Sequence, residues 1–343
     1  NRNYQAAGKY TQADIDEWRE GLAKDPNGMD NPYGVPNYLA YPSTQWVDEL
    51  FLSTTSQKHN VSVVGSSENT NYLLSFGYLD NPGTLKNTGL KNYSGRINIE
   101  TQITKFLKVG TQTYATFQSR EPGNTSFTYM YQNTPAVTPY HDGKYGVSVD
   151  GASTSNLLAD VMSRGGSYDD TRLNTTWYAK VNILDGLTAE ARFNYQTLFN
   201  ETATYSRKVD KQNFRTGEII PGVSSSTATT SRATTRYQNH TNTATINYAK
   251  TFGKHDISIL LGTEQYYWNV KGFSATRTGL LDLDLPDFTA ALDLLDPTLG
   301  GTAEQDYGVI SYFGRLNYAY KNRYLLEANF RRDGSSRFGP DSR

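Results

Sequence analysis

From Ser311 to Phe338 the chain alternates with a period of two. Tyr312, Gly314, Leu316, Tyr318 and Tyr320 share one parity, and Ser311, Arg315, Asn317 and Lys321 share the other. After the short connection at 320–323 the pattern resumes, with Tyr324, Leu326, Ala328 and Phe330 set against Arg323, Glu327, Asn329 and Arg331. Successive strand side chains point to opposite faces, so this stretch predicts a hairpin with one apolar, aromatic side and one side of charges and amides. A barrel wall with lipid outside and water inside needs that division.

The same pattern predicts ten strands, near 57–65, 71–79, 90–102, 105–118, 171–184, 187–206, 234–250, 255–270, 309–321 and 323–333. Leu173, Thr175, Trp177, Ala179, Val181 and Ile183 oppose Arg172, Asn174, Tyr178, Lys180 and Asn182. Leu187, Ala189, Ala191, Phe193 and Tyr195 oppose Glu190, Arg192, Asn194 and Gln196. A lipid-facing Arg or Lys near mid-membrane costs about 2–4 kcal/mol, so a consistent charged face implies a wet interior. The alternation is less clean over 255–270, where Leu260 interrupts it, and the register near 234–250 is weakly marked.

Connection lengths carry a second signal. Links after the odd-numbered strands are short, whereas those after the even-numbered strands, 80–89, 119–170, 207–233 and 271–308, are long. An up-and-down meander puts every second connection on the same rim. Short periplasmic turns and long extracellular loops are the outer-membrane barrel's version of that asymmetry. By the same parity, residues 1–56 fall on the long-loop side, with one helix expected over Thr11–Lys24, capped by Thr11 with Asp14 in its first turn. The expected division is therefore an outward region at 1–56 and barrel strands with long loops over 57–343.

Composition adjusts this picture in a few places. The chain has 343 residues, 26 of them Tyr, and a net charge of -1, which argues against a nucleic-acid partner. It has no Cys, which removes disulfides, Cys-based metal sites and thiol nucleophiles. No apolar run reaches the roughly 18–20 residues of a spanning helix, a test that spanning strands escape. His59, His141, His240 and His255 lack metal-ligand spacing, and no G-x-S-x-G elbow occurs, so no enzyme is expected. Both termini read as cuts within a longer polypeptide.

Four stretches carry a family resemblance: Gln45–Phe51, His59–Ser67, Thr70–Tyr78, and the opening hairpin running into Asp333-Gly334-Ser335-Ser336-Arg337-Phe338. Together they resemble the SusC/RagA-type TonB-dependent transporters of the outer membrane. The resemblance implies an all-β, antiparallel multi-pass barrel of about 22 strands, of which this chain would supply about ten from the N-terminal half. It also implies active import of an oligosaccharide or oligopeptide, a SusD-like surface lipoprotein over the outward mouth, and a TonB complex acting through a plug outside this chain. The family's plug and TonB-contacting segment have no counterpart here.

Candidate sites follow from position. Arg96, Asn98, Glu100, Asn174, Lys180, Arg192, Arg315 and Glu327 are expected to face the lumen. Phe127, Tyr129, Tyr131 and Tyr140, in the loop 119–170, are candidate substrate contacts, with packing between loops as the alternative. Tyr266, Tyr267, Trp268, Phe199 and Tyr205 read as interfacial girdle where they face lipid, and as sugar-stacking rings where they face inward, Trp268 being the candidate contact. Asp282, Asp284, Asp287, Asp293 and Asp296 offer oxygens to Ca²⁺ but lack an EF-hand's Gly and ligand alternation, so no cofactor is expected and a solvated loop or lipoprotein-docking surface is favoured. The competing readings are a non-transport, adhesin-like barrel and a soluble β-rich carbohydrate-binding domain.

Overall fold

The computed structural model describes residues 11–123, 127–151, 153–207, 209–221, 228–279, 287–291 and 298–339. Ten long strands form one antiparallel meander: β1 (Gln57–Ser66), β2 (Thr70–Pro82), β3 (Thr88–Gln102), β4 (Leu107–Pro122), then β6 (Arg164–Leu184) and β7 (Leu187–Ser206). It continues through β10 (Thr229–Phe252), β11 (His255–Thr278), β13 (Gln305–Tyr320) and β14 (Tyr324–Ser335), each strand paired to the next. A short β12 (Thr298–Gly300) adds to β11. All ten predicted strands are present, as a partial up-and-down barrel wall. Among the described residues no helix is long and apolar enough to cross a membrane.

Tight connections at one rim follow from residues that accept a left-handed backbone. Gly186 (φ 81°) and Gly253 (φ 63°) each hold one hairpin, and Lys321 (φ 52°) and Asn322 (φ 53°) sit side by side in the last. Two consecutive positive φ values match the right-handed twist of the flanking strands. At the opposite rim the strands run further than alternation predicts. β6 begins at Arg164 rather than 171, β10 at Thr229 rather than 234, and β11 reaches Thr278 rather than 270. The β10 and β11 extensions are rich in Thr and Ser. Outside hydrocarbon no apolar parity is required, and β-branched residues with paired backbones suffice to continue a strand.

Register confirms the two faces. Trp177 lies opposite Phe193 and stacks on it at 5.8 Å, while one residue along Tyr178 lies opposite Arg192 on the other face. The apolar face is bare: Val61 is 66% exposed, Phe76 55%, Leu261 54% and Phe330 60%. A contiguous apolar surface of that extent belongs against lipid or protein. Leu260 sits on the polar face, opposite Arg315. Several aromatic rings cover a glycine directly across from them. A methyl group at Gly110 would collide with the Tyr178 ring, and one at Gly262 with Phe313.

The buried core lies outside the sheet, on its long-loop side. Helices α1 (Gln12–Leu22), α2 (Asn37–Ala40), α3 (Trp46–Leu50), α4 (Phe127–Gln132) and α5 (Leu157–Met162) gather there. With them is a small sheet of β5 (Tyr145–Gly146), β8 (Lys211–Gln212) and β9 (Ile219–Ile220). Trp46, Leu50, Met130, Val137, Leu157, Leu158 and Val161 form one apolar cluster from segments distant in sequence. The α1 cap is a full capping box, Thr11 Oγ1 accepting from Asp14 N and Asp14 Oδ2 from Thr11 N.

Single cysteines placed at Leu173, Trp177 and Val181 of the membrane-embedded protein should resist a water-soluble maleimide, whereas those at Asn174, Tyr178 and Lys180 should react. Mass-shift labelling reads this directly, and the opposite pattern would invert the wall.

Candidate functional site

Two surfaces are built well enough to act: the polar face of the wall and the loop unit standing at its rim. On the polar face, hydrogen-bonded register aligns side chains into rows that cross from strand to strand. One charged row runs Glu100, Gly110, Tyr178, Arg192, Thr243, Glu264, Ser311 and Asp333. Within it Glu100 accepts from Tyr178 Oη (2.7 Å) and from Lys108 Nζ (2.8 Å), and Arg192 lies 5.0 Å over the Tyr178 ring while bridging to Glu190 at 2.7 Å. At its far end Arg331 donates to Glu264 (3.1 Å), Asp333 (2.8 Å) and Ser311 (2.9 Å).

Two neutral rows lie one and two steps towards the long loops. The first is Asn98, Gln112, Thr176, Asn194, Thr241 and Tyr266. The second begins at Arg96 and continues through Tyr114, Asn174, Gln196, Asn239, Trp268 and Tyr307. Asn194 ties them together, donating to Asn174 Oδ1 (2.8 Å) and Thr176 Oγ1 (2.7 Å). At the β11–β13 end Tyr307 packs against Trp268 at 5.4 Å and Tyr266 at 5.8 Å, with the Arg337 guanidinium 4.1 Å over its ring.

The expected lumen residues thus occupy one face. Glu100, Lys180 and Arg192 join the charged network or lie beside it, and Asn98, Asn174 and Arg96 fall in the neutral rows. Arg315 stands opposite Asn329 lower on the wall, and Glu327 accepts from Asn329 at 2.7 Å. The aromatic trio of β11 is split by parity: Tyr266 and Trp268 point to the polar face, and Tyr267 to the apolar one, 5.2 Å from His240.

The loop unit is held by buried polar bonds. Asn156 is fully buried, caps α5 by accepting from Ala159 N (3.0 Å), and donates to the carbonyls of Pro139 and Gly146 (both 2.9 Å). Arg215 is enclosed by Tyr33 (4.3 Å), Tyr41 (5.1 Å) and Trp18 (5.5 Å) and donates to Ala40 O (2.6 Å), binding the N-terminal region to the loop after β7. Tyr131 and Tyr140 are exposed on this unit at 77% and 53%, Tyr140 packing on Tyr145 at 5.0 Å. The side chains of Phe127 and Tyr129, and residues Asp282, Asp284, Asp293 and Asp296, lie outside the described residues. Asp287 caps a short turn by accepting from Thr289 N at 2.7 Å. Among the described residues no three His or carboxylate groups gather as a metal site. Alternation gave no hint of the Arg215 enclosure or of the neutral rows, because both depend on which distant residues become neighbours.

No protein-family model matches the chain. TonB-dependent receptor P3 of Formosa agariphila is 25% identical over 328 residues, covering 90% of this chain and 31% of that protein. The TonB-dependent receptor SusC of Bacteroides thetaiotaomicron is 24% identical over 339 residues, covering 90% of this chain and 32% of SusC. The RagAB peptide importer in its open-open state shares the fold, with a TM-score of 0.72 at 21% identity, covering 98% of this chain and 38% of that one. The sequence and fold therefore match the barrel of a TonB-dependent receptor. Within that class the match is to the SusC/RagA type, and the chain spans about a third of the length of the curated relatives it matches.

Replacing Asn156 by Ala should leave buried carbonyls unpaired and destabilise the loop unit by about 3 kcal/mol. Limited proteolysis should then cut within 127–163 while the wall stays intact. Burial holds the Lys211 ammonium below its ordinary 10.5, opposed by the Asp160 carboxylate. The unfolded unit therefore binds an extra proton in the window just below 10.5, so its protease resistance should rise with pH there.

Proposed function

We propose that this chain is wall and outward loops of an outer-membrane, TonB-dependent importer of a bulky nutrient. One observation supports this above others: a wall whose faces are sorted into bare apolar and networked polar carries a packed loop unit at one rim only. An importer needs a wide polar lumen and a specific outward mouth, and large barrels supply the first. The relatives, TonB-dependent receptors by name, favour energised import over passive surface binding. In this reading the loop unit, with Tyr131 and Tyr140 exposed, presents the surface on which a SusD-like lipoprotein seats, and the plug and TonB contact belong to parts of the protein beyond these residues.

Uptake of labelled oligosaccharide and oligopeptide mixtures by cells expressing the full-length protein tests this. Entry should be lost on deletion of its gene and equally on loss of TonB. Labelled material held at the surface regardless of TonB would instead identify a binding barrel.

A further inference from the structure

We infer that the two neutral rows on the polar face form a binding track for an uncharged oligosaccharide, with Trp268 and Tyr307 as its stacking end. The inference rests on the importer reading above, in which this face lines the lumen, and goes beyond it by choosing the cargo's chemistry.

The argument is one of composition by height. Most of the rows of the wall carry charge: Glu100, Arg192, Glu264 and Asp333 in one, Lys108, Lys180, Glu190 and Arg331 in the next. Those charges are largely paired with one another, as in Lys108–Glu100, Arg192–Glu190 and Arg331–Glu264. Above them, across six strands from β3 to β11, the wall presents only amides, hydroxyls and aromatic rings, with the single cation Arg96 at the β3 end. Arg96 is itself turned over the Tyr114 ring at 5.3 Å. A water-filled lumen does not by itself require this, since charges serve as well in water.

An uncharged polyhydroxyl chain fits such a band. Its hydroxyls both donate and accept, as side-chain amides do, and its ring faces are apolar enough to stack on aromatics. Capacity is available: among the described residues the Asn98 and Gln112 amides have no hydrogen-bond partner, and Gln112 is exposed. Trp268, Tyr266 and Tyr307 are each partly exposed on the same face, so rings lie at one end of the band and open amides at the other. A peptide cargo of mixed sequence brings both cationic and anionic groups, for which these rows offer no carboxylate and only two cations, Arg96 held over Tyr114 and Arg337 held over Tyr307.

The test uses the full-length protein in detergent, probed on an array of neutral and acidic glycans and, in parallel, with a random decapeptide pool. Neutral glycans should bind, and Trp268→Ala and Gln112→Ala should each weaken that binding about tenfold, while Trp268→Phe retains most of it. Heat-modified gel mobility verifies that each variant is folded. Binding to no neutral glycan, preference for acidic glycans or peptides, or neutral-glycan binding that both variants leave unchanged would overturn the track. Cellular uptake of whichever pool is taken up, measured with and without TonB, separates that failure from failure of the importer reading: TonB-dependent peptide entry sinks the track alone.

Discussion

A backbone amide inside hydrocarbon has no water to bond, so a strand crossing a membrane must give every N–H and C=O to a neighbouring strand. That requirement organises the whole sheet. It makes pairing continuous from β1 to β14, and continuous pairing turns a residue's parity into a compartment. Once a strand is in register, each side chain goes to the lipid side or the water side. A one-residue slip would exchange the two sides along the entire strand. Aromatic rings lying over glycines, as Tyr178 does over Gly110, guard against such slips, because each ring fits only where its partner lacks a side chain.

The same constraint explains what could be read from the sequence. Alternation needs only residue identity, so the sorting of Trp177 and Lys180 to opposite faces was legible, as were all ten strands and the parity of their connections. The capping box of Thr11 and Asp14 was legible for the same local reason. Strand ends at the loop rim were not. Beyond lipid the chain needs no alternation, and Thr229–Ala233 continue β10 on backbone pairing and a Ser231–Thr276 hydroxyl contact (2.6 Å). Nor could the rows be read, since the line from Asn174 through Gln196 and Asn239 to Trp268 joins strands separated by loops of unequal length. The loop unit was the least legible part. Its core joins Trp46 to Leu157 and Val161 across more than a hundred residues, through helices too short to show a period.

The two built surfaces divide the chemistry between them. The polar face stores its charges in pairs and leaves a neutral band beside them. The loop unit spends the buried Asn156 and the ring-enclosed Arg215 on its own cohesion and exposes Tyr131 and Tyr140 along with aliphatic side chains such as Met29 and Ile219. A unit that closes its own core can be rooted at several strand ends and still behave as one body. Residues contributed by the segment before β1 and by the loop after β4 share its core, and the loop after β7 is tied to it through Arg215 and Ala40 O.

The strands are also unequal in length. β1 has 10 residues and β2 13, whereas β6 and β7 have 21 and 20, and β10 and β11 have 24 each. At about 3.3 Å per residue, the longest strands outreach the shortest by roughly 45 Å of chain. With short turns setting a common level at one rim, the excess must rise on the other. The strand rim is therefore stepped, low beside β1–β2 and high beside β10–β11. Packed loop fills the low step: over the β2–β3 link Lys86 N donates to Leu50 O (3.0 Å) and Asn87 Nδ2 to Val161 O (2.9 Å), so height that strands supply on one side is supplied by folded chain on the other.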